Sequence, residues 1–426
     1  MKVRRNKMNP IVLSGAVAIL VGMMSTQVVH ARTEIVFSHY LSKDYVGKMV
    51  REFEKSNPDI EVTALSCGFK DCHDKLTTAL AVGEGAPDVV TISTIKFGSY
   101  ANAGGLTNLS QAPYNFDKAG WKFDSSMITL SKDSKGDIFA VPFDTGPVVM
   151  VYRKDLLDAI NADINDVTKD WNTFIKFAEQ LKEQKNAYVL PAATSLINPL
   201  VMGTNNEPGK PVYLKDGKPN LASDEIKVLV NLVKYLYDKE LVAALDGSSN
   251  DQKFIKLYRQ GKLFADIDGP WIEGRVIQEY DPEGVKRNLW RITGVPNRTN
   301  VNAGGTVFSI PVQGKNKESA WKFIQFLMKD ENVLDIAKIA GTLPARTEIY
   351  DNKFFDQPSK ILGGQHSMRY YTEIVKNLKP YAASPVDNIA NSILNDAVKK
   401  IVAQDADIDS TLEEANQLLE RRMRTL

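Results

Sequence analysis

The sequence predicts an α/β protein of two or three domains or lobes, and three features predict it. From residue 34 onward, apolar runs of strand length alternate with helically spaced stretches, the order that generates a parallel sheet. At 426 residues the chain exceeds what one hydrophobic core holds, so more than one domain is expected. Pro142 and Pro147 bracket a segment that changes direction, a crossing from one domain to the next.

Each element follows from local pattern. Glu34–Ser38 reads as a strand, then Ser42 caps a helix to Ser56 with Met49, Val50 and Phe53 on its apolar face. Asn57-Pro58-Asp59 breaks that helix before a strand at Ile60–Leu65. A helix at Asp74–Val82 ends on Gly83-Glu84-Gly85, and Ala86–Ile92 is a buried strand. Ile138–Phe143 and Val148–Tyr152 are strands around the crossing, and Asp170–Leu181 is an amphipathic helix. Residues 203–220, rich in Gly, Pro, Lys and Asn, read as a surface loop with a hairpin at Lys215-Asp216-Gly217. Helices follow at Ser223–Leu236 and Asp251–Gln260. Leu263–Ile267 is a short strand, and Asp268-Gly269-Pro270 turns the chain into a helix marked by Trp271, Ile272, Val276 and Ile277. In an open α/β sheet, ligands bind at the carboxyl ends of strands, where this corner lies. Trp271 fits a ligand contact there, and equally a core residue at a helix start. Arg291–Pro296 is a strand returning to the first lobe, Val301–Ile310 another, and helices at Ala320–Leu327 and Leu412–Met423 complete the chain.

Composition sets further bounds. Lys2, Arg4, Arg5 and Lys7 precede an apolar run from Ile11 to Met24, and Val29-His30-Ala31 offers a cleavage site, so residues 1–31 read as a signal peptide. No Cys follows the run, so no lipid anchor is expected. Subtracting those four basic residues from 53 leaves 49 against 52 acidic ones, a charge of about −3, with no footprint for nucleic acid or an anionic membrane. The two cysteines, Cys67 and Cys72, read as a disulfide in an exported chain, stabilising by about 2 kcal/mol on the loop-entropy model. A metal site using the adjacent His73 is the alternative, although no second Cys/His pair lies near it.

Several motifs, in order, carry a family resemblance. They are FEKSNPDIEV from Phe53, KLTTALAVGEGAPDVV from Lys75, YRKDLL from Tyr152, GKLFADIDGPWIEG from Gly261, AWKFIQFL from Ala320 and GTLPAR from Gly341. The chain resembles the extracellular solute-binding proteins of sugar ABC transporters, the receptors of maltose, trehalose and glycerol phosphate type. The resemblance implies a type II periplasmic-binding-protein fold, two α/β lobes joined by a hinge with a ligand cleft between them. It places residues 32–143 and 297–329 in lobe I, and 144–296 and 330–426 in lobe II. It also implies a periplasmic monomer without a cofactor, which binds a mono- or oligosaccharide and delivers it to permease subunits in the inner membrane.

The same resemblance points to ligand contacts at His39 or Tyr40, Ser93, Thr94, Asp144, Thr145, Asp268, Trp271, Gly304, Gly305, Thr342 and Arg346. Each has a plainer use. Thr94 suits a helix cap, Tyr40 a domain edge, Asp144 an Asx turn, the glycine pair a bulge, and Arg346 a surface ion pair.

No catalytic set is evident. The histidines after the leader, His39, His73 and His366, have no metal-ligand spacing, and neither a Gly-x-Ser-x-Gly elbow nor a phosphate loop is present. Asp266 and Asp268 could share one side of a strand, which keeps a secreted glycoside hydrolase as a remote alternative. A receptor for a charged solute, such as glycerol phosphate or a polyamine, is the nearer one.

Overall fold

The computed structural model describes residue 1 and residues 32–204, 207–249, 251–274, 281–298 and 301–424. The expected leader, from residue 2 to 31, and positions Val276 and Ile277 lie outside the described residues. In chain order the first strands are β1 Thr33–His39, β2 Ile60–Ser66, β3 Val89–Ser93, β4 Val141–Pro142, β5 Asp144–Thr145, β6 Val149–Arg153 and β7 Leu190–Ala192. The later ones are β8 Leu214–Lys215, β9 Lys218–Pro219, β10 Val242–Ala244, β11 Ala265–Asp268, β12 Trp290–Thr293, β13 Thr306–Ser309 and β14 Leu343–Pro344.

The first lobe is built on a five-stranded sheet in the order β2-β1-β3-β13-β4. β1 runs parallel to both β2 and β3, as the strand–helix alternation predicts, and β13 inserts antiparallel between β3 and β4. Pro142 sits in β4, the edge strand, where a missing N–H is tolerated. Ser42 caps the helix Lys43–Ser56, its side chain accepting from the N–H of Tyr45. That helix buries Met49 and Phe53, and Phe53 meets Phe323 edge-on with ring centres 4.9 Å apart. Phe323 in turn contacts Phe37 of β1, so one aromatic cluster fastens both helices to the sheet.

The second lobe centres on an antiparallel sheet in the order β11-β6-β12. The segment entering β7 lies alongside β11, with Phe264 N donating to Tyr188 O at 2.8 Å, and β10 runs parallel to β7. Trp290 is fully buried, and its indole N–H donates to Asp281 at 2.8 Å. Asp281 also faces Arg153, whose guanidinium is held by Asp155 at 2.8 Å, so this buried charge is paired.

Among the described residues, three chain segments run side by side between the lobes. Residues 143–148 lie between residues 301–306 on one side and 343–345 on the other. Gly146 and Gly304 are linked at 2.8 Å, Val148 and Val301 at 2.8 Å, and Ala345 and Phe143 at 2.9 Å. Asn302 ties this ribbon together. Its carbonyl accepts from Gly146 N and Gly304 N, and its amide donates to Ser126 Oγ and Thr145 Oγ1.

Four expectations are corrected. The helix expected from Asp74 spans Phe69–Val82, a turn earlier, because Gly68 opens it directly after the end of β2. Arg291–Pro296 is not a crossing: its strand pairs with β6 inside the second lobe, and the crossing follows at 301–305. The stretch 203–220 does carry the hairpin, with Asp216 and Gly217 both at positive φ, but Val212 and Tyr213 are buried rather than on the surface. The helix Asp330–Ala340, expected in the second lobe, packs on Lys43–Ser56 of the first, where Asp335 pairs with Lys48.

Candidate functional site

A cleft of about 1480 Å3 opens between the lobes, at the carboxyl ends of β1, β3 and β11. Strand ends leave backbone groups and the first side chains of the following segment pointing outward, so the lining derives from the corners after each strand. From the first lobe come Tyr40 after β1, Cys67, Gly68 and Phe69 after β2, and Ser93 at the end of β3. Asp144, Gly305 and Thr306 come from the hinge. The second lobe contributes Asp266, Asp268, Trp271 and Glu273, and Thr342 stands beside β14.

Of the residues the sequence pointed to, Tyr40, Ser93, Asp144, Asp268, Trp271, Gly305 and Thr342 line this cleft. Asp144 reaches back to the hinge, one carboxylate oxygen accepting from Thr306 N at 2.5 Å. One carboxylate oxygen of Asp268 accepts from the N–H of the next residue, Gly269, at 2.8 Å, at the corner before Pro270. Trp271 lies against two glycines, and a Cβ on Gly146 or Gly269 would stand 2.5 Å from its ring. Both positions require glycine for that reason, and the indole is held where hinge and second lobe meet.

The other candidates are not among the cleft residues. His39 points into the first lobe, stacked on Phe37 at 5.1 Å, and burial lowers its imidazole to about 4. Thr94, 1 % exposed, packs against Gly304, whose Cβ would come within 2.7 Å of the threonine hydroxyl. Gly304 itself has φ 110°, so the glycine is needed for backbone shape. Thr145 is fully buried and bonded to Asn302 in the hinge. Arg346 is buried, and its guanidinium is engaged by Glu348, Asp330 and the carbonyl of Met328, so it braces the hinge.

Cys67 and Cys72 form a disulfide with Cα atoms 5.5 Å apart. His73 serves the fold through both ring nitrogens: Nδ1 bonds the carbonyl of Phe69 at 2.7 Å, and Nε2 accepts from Ser93 N at 3.1 Å. Burial holds this imidazole neutral, at about 4.

The sequence reading missed part of the second-lobe wall. Ser195 and Asn198 follow β7, and Asp246, Ser248 and Ser249 follow β10, again at strand ends. Neither short strand stands out by pattern, so the rule that finds Trp271 had no strand to start from. Asp246 is held by Lys399 at 2.5 Å and Thr194 at 2.8 Å, and Lys399 first of all keeps its carboxyl below the usual range. Asp266 is fully buried beneath the wall, bonded to Tyr258 OH at 3.2 Å and to Ile267 N at 2.9 Å. Burial, with the nearby charge of Asp268, pushes its carboxyl up to about 7. Glu273 is raised by burial too, and accepts from Ser359 and Tyr371. This wall can accept and donate hydrogen bonds along its length, while Tyr40, Phe69 and Trp271 offer aromatic surface.

Two α/β lobes, a hinge ribbon and a cleft at the strand ends make up the type II periplasmic-binding-protein fold. Residues 48–362 match the bacterial extracellular solute-binding protein family, and the chain belongs to it. Among its relatives, the arabinooligosaccharide-binding protein of Bacillus subtilis is 23% identical, over 86% of this chain and 88% of that protein. The maltooligosaccharide ABC transporter solute-binding lipoprotein of Streptococcus pneumoniae is 27% identical, over 72% and 70%. The acarbose-binding GacH receptor of Streptomyces glaucescens superposes with TM-score 0.76 at 15% identity, covering 92% of this chain and 98% of that one. A Bifidobacterium animalis transporter-associated binding protein in complex with β-1,6-galactobiose gives 0.76 at 18% identity, covering 91% and 97%.

Proposed function

We propose that this chain is the substrate-binding component of an ABC importer, taking a neutral mono- or oligosaccharide between its lobes and delivering it to membrane permease subunits. The observation that carries the reading is the pairing of aromatic surface with hydrogen-bonding side chains across one cleft. Sugars present apolar C–H faces and dense hydroxyls, and each finds its complement here. A ligand touching both lobes stabilises the closed arrangement, and the hinge ribbon is where closure takes place. The relatives named for arabino- and maltooligosaccharides support the same class. The protein works as an exported monomer in the periplasm, and it binds without turning over its ligand. Asp266 and Asp268 serve recognition: Asp266 is buried under the wall, and Asp268 accepts from the N–H of Gly269.

A cationic solute is the second reading, favoured by the carboxylates Asp44, Asp144, Asp246, Asp268 and Glu273 along the cleft. Phosphorylated glycerol would not meet Arg346, which is occupied in the hinge, and would have to use Lys43, Lys338 or Lys360 of the cleft lining instead.

The test is a thermal-shift screen of the protein from Arg32 onward against arabino-, malto- and galactooligosaccharides, monosaccharides, polyamines and glycerol phosphates. A ligand that binds only the folded state raises Tm. A rise with a neutral sugar is expected. A rise with polyamines alone would replace this reading with the second.

A further inference from the structure

The disulfide is the feature that the general architecture leaves without a task, and it stands at the cleft rather than at the periphery. Cys67 ends the excursion of β2 and donates its backbone N–H to His39 O at 3.0 Å. Cys72 lies in the first turn of the helix Phe69–Val82, 5 % exposed, and its N–H reaches Gly68 O at 2.9 Å. Ser38 of β1 sits beside both sulfurs, 3.5 Å from Cys67 Sγ and 3.9 Å from Cys72 Sγ. Between the cysteines the chain exposes Gly68 and Phe69 to the cleft. Gly68, the N-cap residue, makes no side-chain cap bond, so this helix start lacks the usual polar fastening.

Phe69 is 51 % exposed, an unusual state for so large an apolar ring. The other exposed large aromatics among the described residues, Tyr235 and Tyr370, do not line the cleft. Its exposure is not looseness. The ring meets Tyr40 edge-on at 5.2 Å and lies 4.7 Å from His73, which in turn bonds the Phe69 carbonyl and the N–H of Ser93. One side is packed by two aromatic rings, and the remainder is left to the cleft.

We propose that Phe69 is a ligand-stacking platform on the first-lobe wall, opposite in chemistry to the carboxylates of the second lobe, and that the Cys67–Cys72 disulfide positions it. The inference rests on the reading of the cleft as a sugar site. The ligand class is a saccharide with an unsubstituted C–H face, which Phe69 covers from the first lobe. The disulfide replaces the missing cap: it fixes the first helical turn to the end of β2, so the ring stands in its binding orientation before the ligand arrives.

The experiment is isothermal titration of the protein from Arg32 onward with whichever of maltotriose, arabinotriose and β-1,6-galactobiose gives the largest thermal shift. Phe69→Ala is expected to weaken binding at least fivefold with unliganded Tm little changed, and Phe69→Trp to restore it. The variant Cys67→Ser with Cys72→Ala, which keeps the buried position apolar, is expected to weaken binding in the same direction. Adding Phe69→Ala to it should cost less than twofold more, the non-additivity of two residues acting through one contact. Binding by Phe69→Ala within twofold of wild type, while wild type still binds sugar, overturns the platform and leaves the proposed function standing. An equal loss on both cysteine backgrounds overturns the positioning role. A wild type that binds none of the three sugars overturns the function and the platform together.

Discussion

The two lobes meet the same physical problem with opposite chemistry. Behind the first-lobe wall, His39 and His73 are buried imidazoles, and desolvation lowers both to about 4. Behind the second-lobe wall Asp266 is a buried carboxyl, and desolvation raises it to about 7. Burial disfavours the charged form in each case; an imidazole loses its proton to become neutral, and a carboxyl keeps it. Near neutral pH Asp266, one carboxyl of the cleft, therefore carries less than a full charge. Such a site suits a ligand recognised by hydroxyls and apolar faces.

That comparison can be broken or sharpened by substitution. The largest effect is expected at the second-lobe wall. Asp268→Ala should weaken sugar binding by about tenfold to a hundredfold, the loss of a charge-assisted hydrogen bond worth about 1.5–3 kcal/mol. Calorimetric affinity equal to wild type would strip that wall of its recognition role. Trp271→Ala should cost about tenfold, consistent with roughly 1.4 kcal/mol of stacking. An unchanged Kd would mean the indole only fills the space left by Gly146 and Gly269.

The titration contrast has its own test. His39 and His73 contribute stability that is present above their unfolded value near 6.5 and lost as pH falls toward about 4. Asp266, and likewise Asp387, buried and raised to about 7, contribute stability that is present below the unfolded value of 3.8 and lost as pH rises toward 7. Between those limits the two sets oppose each other. Removing one carboxyl by Asp266→Asn should tilt stability upward with pH, relative to wild type, by up to about 1.4 kcal/mol per pH unit. Urea unfolding at several pH values between 4.5 and 6.5 measures it, and parallel profiles would show that Asp266 does not titrate as its burial requires. The smallest effect on binding is expected from Arg346→Ala. It should lower Tm by loosening the Asp330 and Glu348 contacts while leaving Kd unchanged, and a clear loss of affinity would return Arg346 to the cleft.

What the sequence made legible follows from how much signal each element carries. β1, β2 and β3 alternate with amphipathic helices, and their parallel order follows from that pattern. β7 and β10 are three residues each, too short for a period to show, and with them went Ser195, Asn198 and Asp246. Pro142 and Pro147 located one crossing of the hinge, whereas the Gly304-Gly305 pair read as a ligand contact or a bulge, and pattern does not say whether a side chain faces the ligand or the ribbon. Thr145 and Gly304 face the ribbon, one through Asn302 and the other through Thr94. Arg346 misled for an electrostatic reason: an arginine in a turn near a cleft reads as an anion contact until its carboxylate neighbours, distant or local, are placed.

The place of β13 also sets an order of events during synthesis. It occupies an interior position of the first sheet, between β3 and β4, yet it is made after the whole second-lobe sheet. A ribosome that has released everything up to Thr293 has produced β4 with its hydrogen-bonding partner still unmade. The first lobe, although it begins the chain, cannot be the first to finish. Pairings of such long separation form slowly, so the amino-terminal half stays incompletely folded until most of the polypeptide exists.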